Sequence, residues 1–197
     1  MYPEIELVDI NDNIIGYGQK MDIHTKGLLH RAFSIFIYDL DQNKILLQKR
    51  AKDKYHSGGL WSNSCCSHKY RNESWIDGFK RCINDELMFM PKFDEYVDDT
   101  NSSIILALQN QKPILAGKFK YFSNYGNINE HEIDRVIVWG INTEKSKDFQ
   151  ANPAEVSDIC WVSISQLNSM LKNKYMFTSW FVEAYSIAES VLLRIVK

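Results

Sequence analysis

No apolar run in this chain is long enough to cross a bilayer, because every hydrophobic stretch is short and broken by charge. The N-terminus, MYPEIELVDIND, is acidic and lacks the apolar segment of a secretory signal. Cysteine is sparse: a vicinal pair at 65 and 66 and singles at 82 and 160, not the dense framework of a small secreted domain. An excess of one charge is also missing. With 23 basic and 25 acidic side chains the net charge is -2, so the overall field attracts neither nucleic acid nor an anionic membrane. Any anionic ligand must therefore be held by local positive charge. Internal repeats and low-complexity linkers are lacking too. These absences lead us to expect a cytoplasmic protein with reduced thiols and no nucleic-acid or membrane partner; a monomer and a homodimer are both compatible with the sequence.

What is present suits one domain, since 197 residues with 45% hydrophobic and 13% aromatic content can bury a substantial core. Residues 4–10 alternate apolar and polar, Asn11-Asp12-Asn13 makes a turn, and 14–19 is a second extended run, which predicts an opening hairpin. HRAFSIFIYDL (30–40) and KILLQKR (44–50), separated by Asp41-Gln42-Asn43, predict two paired strands. The stretch 51–73 has no period and contains Gly58-Gly59, so it reads as a long loop, the kind of segment that tends to carry function. Trp75, Ile76, Phe79, Ile83 and Leu87 fall at helical spacing and predict a helix over 74–89, with Pro91 as a stop. GKFKYFS (117–123) and EIDRVIVWG (132–140) read as strands flanking the turn-rich 124–129, and CWVSI as a shorter strand beginning at Cys160. Residues 167–171 and 180–196 show helical apolar spacing. The acidic stretch 93–99, FDEYVDD, suggests no element or role. The expected fold class is α/β or α+β, a curved mixed sheet between helices.

The candidate chemistry begins with Cys66-Ser67-His68 in the long loop and Glu130-His131-Glu132 at the entry to a strand. Residues two apart in an extended chain face the same side, so each pair can aim two side chains into one cavity. His24 and His30 bracket TKGLL upstream. Three imidazoles and two carboxylates suit an octahedral divalent site for Mn2+, Mg2+ or Zn2+. Against this, a lone histidine is more often a surface or satisfied core group, and five in 197 residues is ordinary. Asp85-Glu86 would usually be a solvated helix face, but its helix follows the Cys66 loop and can present Glu86 to a diphosphate-bound Mg2+. Lys20, Arg50, Lys54 and Arg81 lie close enough to these segments to line one pocket, where arginine can grip phosphate oxygens in pairs. Tyr121 and Trp180, like most aromatics, default to the core.

GLLHRAFSIF (27–36), LLQKR (46–50), KYHSGGLWSNSCCSH (54–68), EHEID (130–134) and the Phe-Thr-Ser-Trp run at 177–180 resemble type I isopentenyl-diphosphate isomerase, in that family's order across most of the chain. The resemblance implies a Nudix-like core over 30–165, with an N-terminal extension at 1–29 and a C-terminal helical segment at 166–197. It implies that Cys66 is the catalytic cysteine and Glu132 the paired acid/base carboxylate, with Tyr121 relaying its proton. His24, His30, His68, Glu130 and Glu132 would bind one metal. Glu86, with the Cys66 carbonyl, would help bind a Mg2+ carried by the prenyl diphosphate substrate. Lys20, Arg50, Lys54 and Ser67 match diphosphate contacts, with Arg81 in the same pocket, and Tyr121 and Trp180 match the aromatics near the reacting carbons. The predicted helix also resembles a Nudix signature, with Ser67 for its opening glycine, Glu73 at its first glutamate, and Arg81, Asp85 and Glu86 near its end.

The departures are informative. Cys82 stands where hydrolytic members have a metal-binding glutamate, Asp85 replaces another, and Met88 replaces a common glycine, which weakens a hydrolytic reading because two-metal water activation needs that carboxylate cluster. Lys69 replaces the isomerases' usual proline after the histidine, and Ser179 the proline before the tryptophan. Two other readings stay open: a Nudix diphosphate hydrolase, and a non-catalytic fold in which the same histidines and glutamates hold a structural metal.

Overall fold

The computed structural model describes residues 3–98 and 104–195. Alternating side chains form β1 (Ile5–Val8). The Asp9 carboxylate then accepts from the Asn11 and Asn13 amides, both at 2.9 Å, and turns the chain into β2 (Ile14–Gly18). A short helix that has no clear signal in the sequence, α1 (Lys20–Lys26), follows and stops at Gly27, whose φ of 63° reverses the chain into β3 (His30–Asp39).

β3 and β4 (Lys44–Arg50) do pair, but only at Tyr38–Ile45 and Asp39–Lys44 beside their turn. Beyond that they part, because the predicted loop is not wholly loop. It contains β5 (Trp61–Ser62), which pairs with β4, and β6 (Cys65–His68), which inserts beside Ala32–Ile35 of β3. These strands are too short and too polar to show a period in the sequence.

α2 (Trp75–Leu87) is capped by the Ser74 hydroxyl, which accepts from the Asp77 amide, and it ends at Met88 with φ 49°, before Pro91 is reached. α3 (Ile104–Gln109) precedes the hairpin of β7 (Ile114–Asn124) and β8 (Asn129–Ile141). α4 (Thr143–Ser146) leads to β9 (Val156–Ser163), which starts four residues before the expected Cys160 because its first half pairs with the Gln48–Arg50 end of β4. α5 (Ile164–Met170) and α6 (Phe181–Leu192) complete the chain. The predicted last helix thus ends at Leu192; Val196 lies outside the described residues, as does Asp99 of the acidic stretch. In that stretch Val97 bridges to Ile114.

Among the described residues nine strands join one mixed sheet in which β3 runs parallel to β8 and antiparallel to β1, β4 and β6. Side chains alternate across it. Phe33, Ile35 and Ile37 of β3 pack with Phe79, Ile83 and Leu87 of α2 on one face, while Phe36 and Tyr38 pack with Phe181, Ala184 and Tyr185 of α6 on the other. The sheet therefore lies between α2 and α6. Among the described residues no helix is long and apolar enough to cross a membrane.

Lys69 is buried. Its amine donates to Glu6 Oε1 at 3.2 Å and to the carbonyls of Tyr70 and Glu73, while Arg31 holds Glu6 Oε2 at 2.9 Å and Asp12 Oδ1 at 2.6 Å. Trp75 packs beneath the cations of Arg31, Lys69 and Arg135. An ionic tether from β1 thus fastens the chain just after His68. Breaking a buried pair leaves an uncompensated charge, and because Glu6 keeps Arg31, Lys69→Ala should cost about 3 kcal/mol, the low end of that range. Urea unfolding measures it; an unchanged midpoint would show that the tether adds no net stability.

Candidate active site

One face of the sheet is apolar under α6 and polar beyond it. On β3, Phe36 and Tyr38 give way to Ser34, Ala32 and His30; on β8, Val138 and Val136 give way to Asp134, Glu132 and Glu130. Register brings the polar halves together. His30 faces Glu132 across the parallel pair, Tyr121 faces Glu132 from β7, and β6 sets Cys66 and His68 opposite Ser34 and Ala32. His24 enters from α1, held by Asn129 Nδ2 donating to the His24 carbonyl at 3.3 Å. Cys66, His68, Tyr121, Glu130, Glu132 and Asp134 border a cavity of about 380 Å³ that Lys20, Arg50, Lys54, Ser67, Arg81, Glu86 and Trp180 also line, and His24 and His30 approach its Glu130 at 3.6 and 4.0 Å.

The five expected ligands do come together. Donor atoms of His24, His30, His68 and Glu130 lie within 4.8 Å of one another, and Glu132 Oε1 joins them at 3.4 Å from His30 Nε2 and 3.0 Å from His68 Nε2. Buried His24 Nε2, His30 Nε2 and Glu130 Oε2 have no hydrogen-bond partner, a state that costs free energy unless something satisfies it. His30 Nδ1 sits 2.8 Å from the Leu28 carbonyl, which can only accept, so Nδ1 is the donor there and Nε2 is turned to the cluster. Burial, with His68 nearby, drives the His24 imidazole down to about 3, so His24 is neutral. This donor set fits a divalent cation.

Burial alone would raise Glu130, but the hydrogen bond from His56, with the His68 imidazole beside it, holds its carboxyl well below the usual range. Glu132, raised by burial and by Glu130, is brought down by His30 and His68, and its Oε2 accepts from the Tyr121 hydroxyl at 2.6 Å. Burial and the neighbouring Glu132 push the Tyr121 phenol well up, so it remains a donor. Burial, then Glu86, does the same to the Cys66 thiol. The cavity thus holds a protonated thiol and an ionised carboxylate.

Glu86 stands outside the His/Glu cluster. It accepts from Gln48 Nε2 at 2.6 Å and from the Cys66 amide at 3.4 Å, and burial, opposed by Arg50, lifts it to about 7. Arg50 Nε is buried without a partner, a donor free for an anion, whereas Lys54 is paired with Glu155. Arg81 lines the cavity with its guanidinium engaged: it holds both Glu73 oxygens, Ser67 Oγ and the His68 carbonyl, tying the β6 loop to α2.

Three residues escaped sequence reasoning. Asp134 accepts from Ser34 Oγ at 2.8 Å, its other oxygen is unpartnered, and burial beside Glu132 pushes its carboxyl well above the usual range. Asn63 accepts from Trp180 Nε1 at 3.1 Å and donates to the Cys65 carbonyl at 2.6 Å. His56 sits 2.7 Å from Glu130 Oε1. Asp134 follows the Glu130/Glu132 alternation and was within reach of that signal; nothing local marks the other two. Gly58 permits the tight loop that carries His56, since a Cβ there would collide with the Lys52 carbonyl oxygen.

The description "NUDIX domain" fits residues 28–181, which covers most of the chain. Among solved structures, a Deinococcus radiodurans protein superposes with a TM-score of 0.65 at 13% identity, covering 94% of this chain and 98% of that one. The MutT protein of Methanosarcina mazei gives 0.55 at 14%, covering 85% and 92%. At such identities the likeness is one of fold, and fold and site together define a NUDIX-domain protein with a buried His/Glu centre. The isopentenyl-diphosphate Delta-isomerase of Serratia proteamaculans is 37% identical, covering 89% of this chain and 86% of that protein. Isopentenyl-diphosphate Delta-isomerase 2 of Photorhabdus laumondii is 38% identical with the same coverage, and the Burkholderia multivorans isomerase 35% identical over 92% and 90%. The chain belongs to the isopentenyl-diphosphate Delta-isomerase family.

Asn63→Ala should leave the buried Trp180 N–H unpaired. A buried unpaired donor costs roughly 1–3 kcal/mol, so we expect a stability loss of about 2 kcal/mol, read by urea unfolding, and a blue-shifted or broadened Trp180 fluorescence. Wild-type values for both would remove Asn63 as the anchor.

Proposed function

We propose that this chain interconverts isopentenyl diphosphate and dimethylallyl diphosphate by moving a double bond through protonation and deprotonation. The observation that carries this reading is the pairing, in one cavity, of a proton-bearing Cys66 thiol with an ionised Glu132 carboxylate that accepts from Tyr121. A 1,3-shift needs an acid and a base together. The π electrons of the substrate take a proton at the terminal alkene carbon, leaving a tertiary cation. The C–H electrons of the allylic carbon then form the new double bond as that proton departs. Cys66 and Glu132 serve as donor and acceptor, and their roles exchange in the reverse direction.

The cation must be kept from water, which would trap it. Trp180 and Tyr121, with ring centroids 6.2 Å apart, supply π faces in the cavity wall, worth about 2 kcal/mol or more to a desolvated cation. Arg50, with its free buried Nε, Lys20 and Lys54 supply the positive charge that a diphosphate needs, Ser67 a hydroxyl, and the Arg81–Glu73 clamp a fixed wall. A divalent cation (Mn2+, Mg2+ or Zn2+) held by His24, His30, His68, Glu130 and Glu132 would orient Glu132 and draw charge from it, and Mg2+ brought with the diphosphate would meet Glu86.

Removing a positioned acid or base lowers rate by roughly 10²–10⁴-fold. Cys66→Ser and Glu132→Gln should each lose that much, and Tyr121→Phe less. Proton NMR in deuterated water with Mg2+, Mn2+ and isopentenyl diphosphate should show dimethylallyl diphosphate with deuterium incorporated. Intact substrate with the wild-type chain overturns the proposal; release of phosphate or diphosphate replaces it with hydrolysis; near-full activity in either mutant removes that residue from the chemistry.

A further inference from the structure

His56 lies in the loop between β4 and β5, buried at 8% exposure, and belongs to none of the groups assigned above. Its Nε2 is 2.7 Å from Glu130 Oε1. The opposite oxygen, Oε2, faces His24, His30 and His68 at 3.6, 4.0 and 3.9 Å and has no hydrogen-bond partner. His56 therefore occupies one oxygen of Glu130 and leaves the other aimed into the cluster. His56 itself is outside the group of converging donor atoms, so it orients a ligand without being one.

The ring of His56 is held on three sides. It stacks on Tyr125 with centroids 4.6 Å apart and planes 24° from parallel, and stands edge-on to Tyr55 at 4.6 Å and to Trp180 at 5.9 Å. Tyr125 in turn shares a 2.6 Å hydrogen bond with Ser179, the residue before Trp180. Ser179 stands where the resembling family has proline, so here a side-chain bond supplies the tether.

We infer that His56 is a positioning residue that couples the two halves of the site, its Nε2–H fixing Glu130 within the His/Glu cluster and its ring fixing the Trp180 face of the cavity. The inference rests on reading that cluster as a metal centre. Outer groups that orient metal ligands typically matter by 10–100-fold in affinity or activity.

Two substitutions separate the two contacts. His56→Phe keeps a ring against Tyr125 and Trp180 but has no donor; His56→Gln keeps a donor but no ring. Co2+ is titrated into metal-free protein against a competing chelator, followed by visible absorption, with circular dichroism as the check on folding. His56→Phe should bind Co2+ about 10- to 100-fold more weakly than wild type while remaining folded. His56→Gln should hold Co2+ within a few-fold of wild type and lose about tenfold in kcat with KM for isopentenyl diphosphate little changed. Equal Co2+ affinity in His56→Phe and wild type overturns the inference alone. Equal weakening in both variants overturns the role of the donor, and no Co2+ uptake by wild type overturns the metal reading together with this inference. Absence of isomerase turnover would sink the proposed activity while the Co2+ titrations still decide the role of His56.

Discussion

The parallel pairing of β3 with β8, ten consecutive residue pairs from His30–Glu132 to Asp39–Ile141, governs both the core and the site. Because the side-chain period of a strand is two, a single register commits Phe36, Tyr38, Val136 and Val138 to the α6 face and, on the same face further along, Glu132 and Asp134 to the cavity with His30 and Ser34 beside them. A slip of one residue on either strand would carry its imidazole or carboxylates to the α2 side and its apolar partners out of the α6 core. Folding energy and catalytic geometry thus draw on one hydrogen-bonded ladder. The chain needs no separate device to align His30 with Glu132.

Given that register, the cavity sorts its ionisable groups by what each finds beside it. Buried Glu130 and Glu132 stay ionised because histidines and the Tyr121 hydroxyl donate to them. Asp134, equally buried, beside Glu132 and with Ser34 as its donor, is pushed towards its neutral form, and Glu86 sits near 7. Environments that pull the protonation of neighbouring groups apart let one pocket hold an acid and a base at the same pH. The unpartnered nitrogens of His24 and His30 mark where a cation best offsets the cost of this burial.

The elements around the sheet act as clamps on the segments that carry these groups. β6 is four residues long and could not hold its place by pairing alone. Arg81, braced by Glu73, grips it from α2, and Lys69 with Glu6 grips its far end from β1. Lys69, which departs from the proline of the resembling family, replaces a stiff backbone with a buried ion pair. Ser179 likewise replaces a proline with a hydrogen bond, to Tyr125. Rigidity lost from the backbone at both places returns through side chains.

Wherever a signal is local, the sequence carried it. The apolar stripe of α2 and its Ser74 cap, the turn at 124–129, the alternation that places Glu130 and Glu132 on one side, and the motifs that mark Cys66, His68 and Trp180 are all readable from neighbours a few residues apart. Tertiary structure decided what depends on distant segments meeting. It opened the β3–β4 hairpin, made strands of 61–62 and 65–68, turned Arg81 into a clamp, and joined Ser34 to Asp134 across 100 residues and Asn63 to Trp180 across 117. His56 is of this second kind. A residue's period and type fix which way it can face, but the group it meets is chosen by long-range packing, and no window of sequence contains both partners.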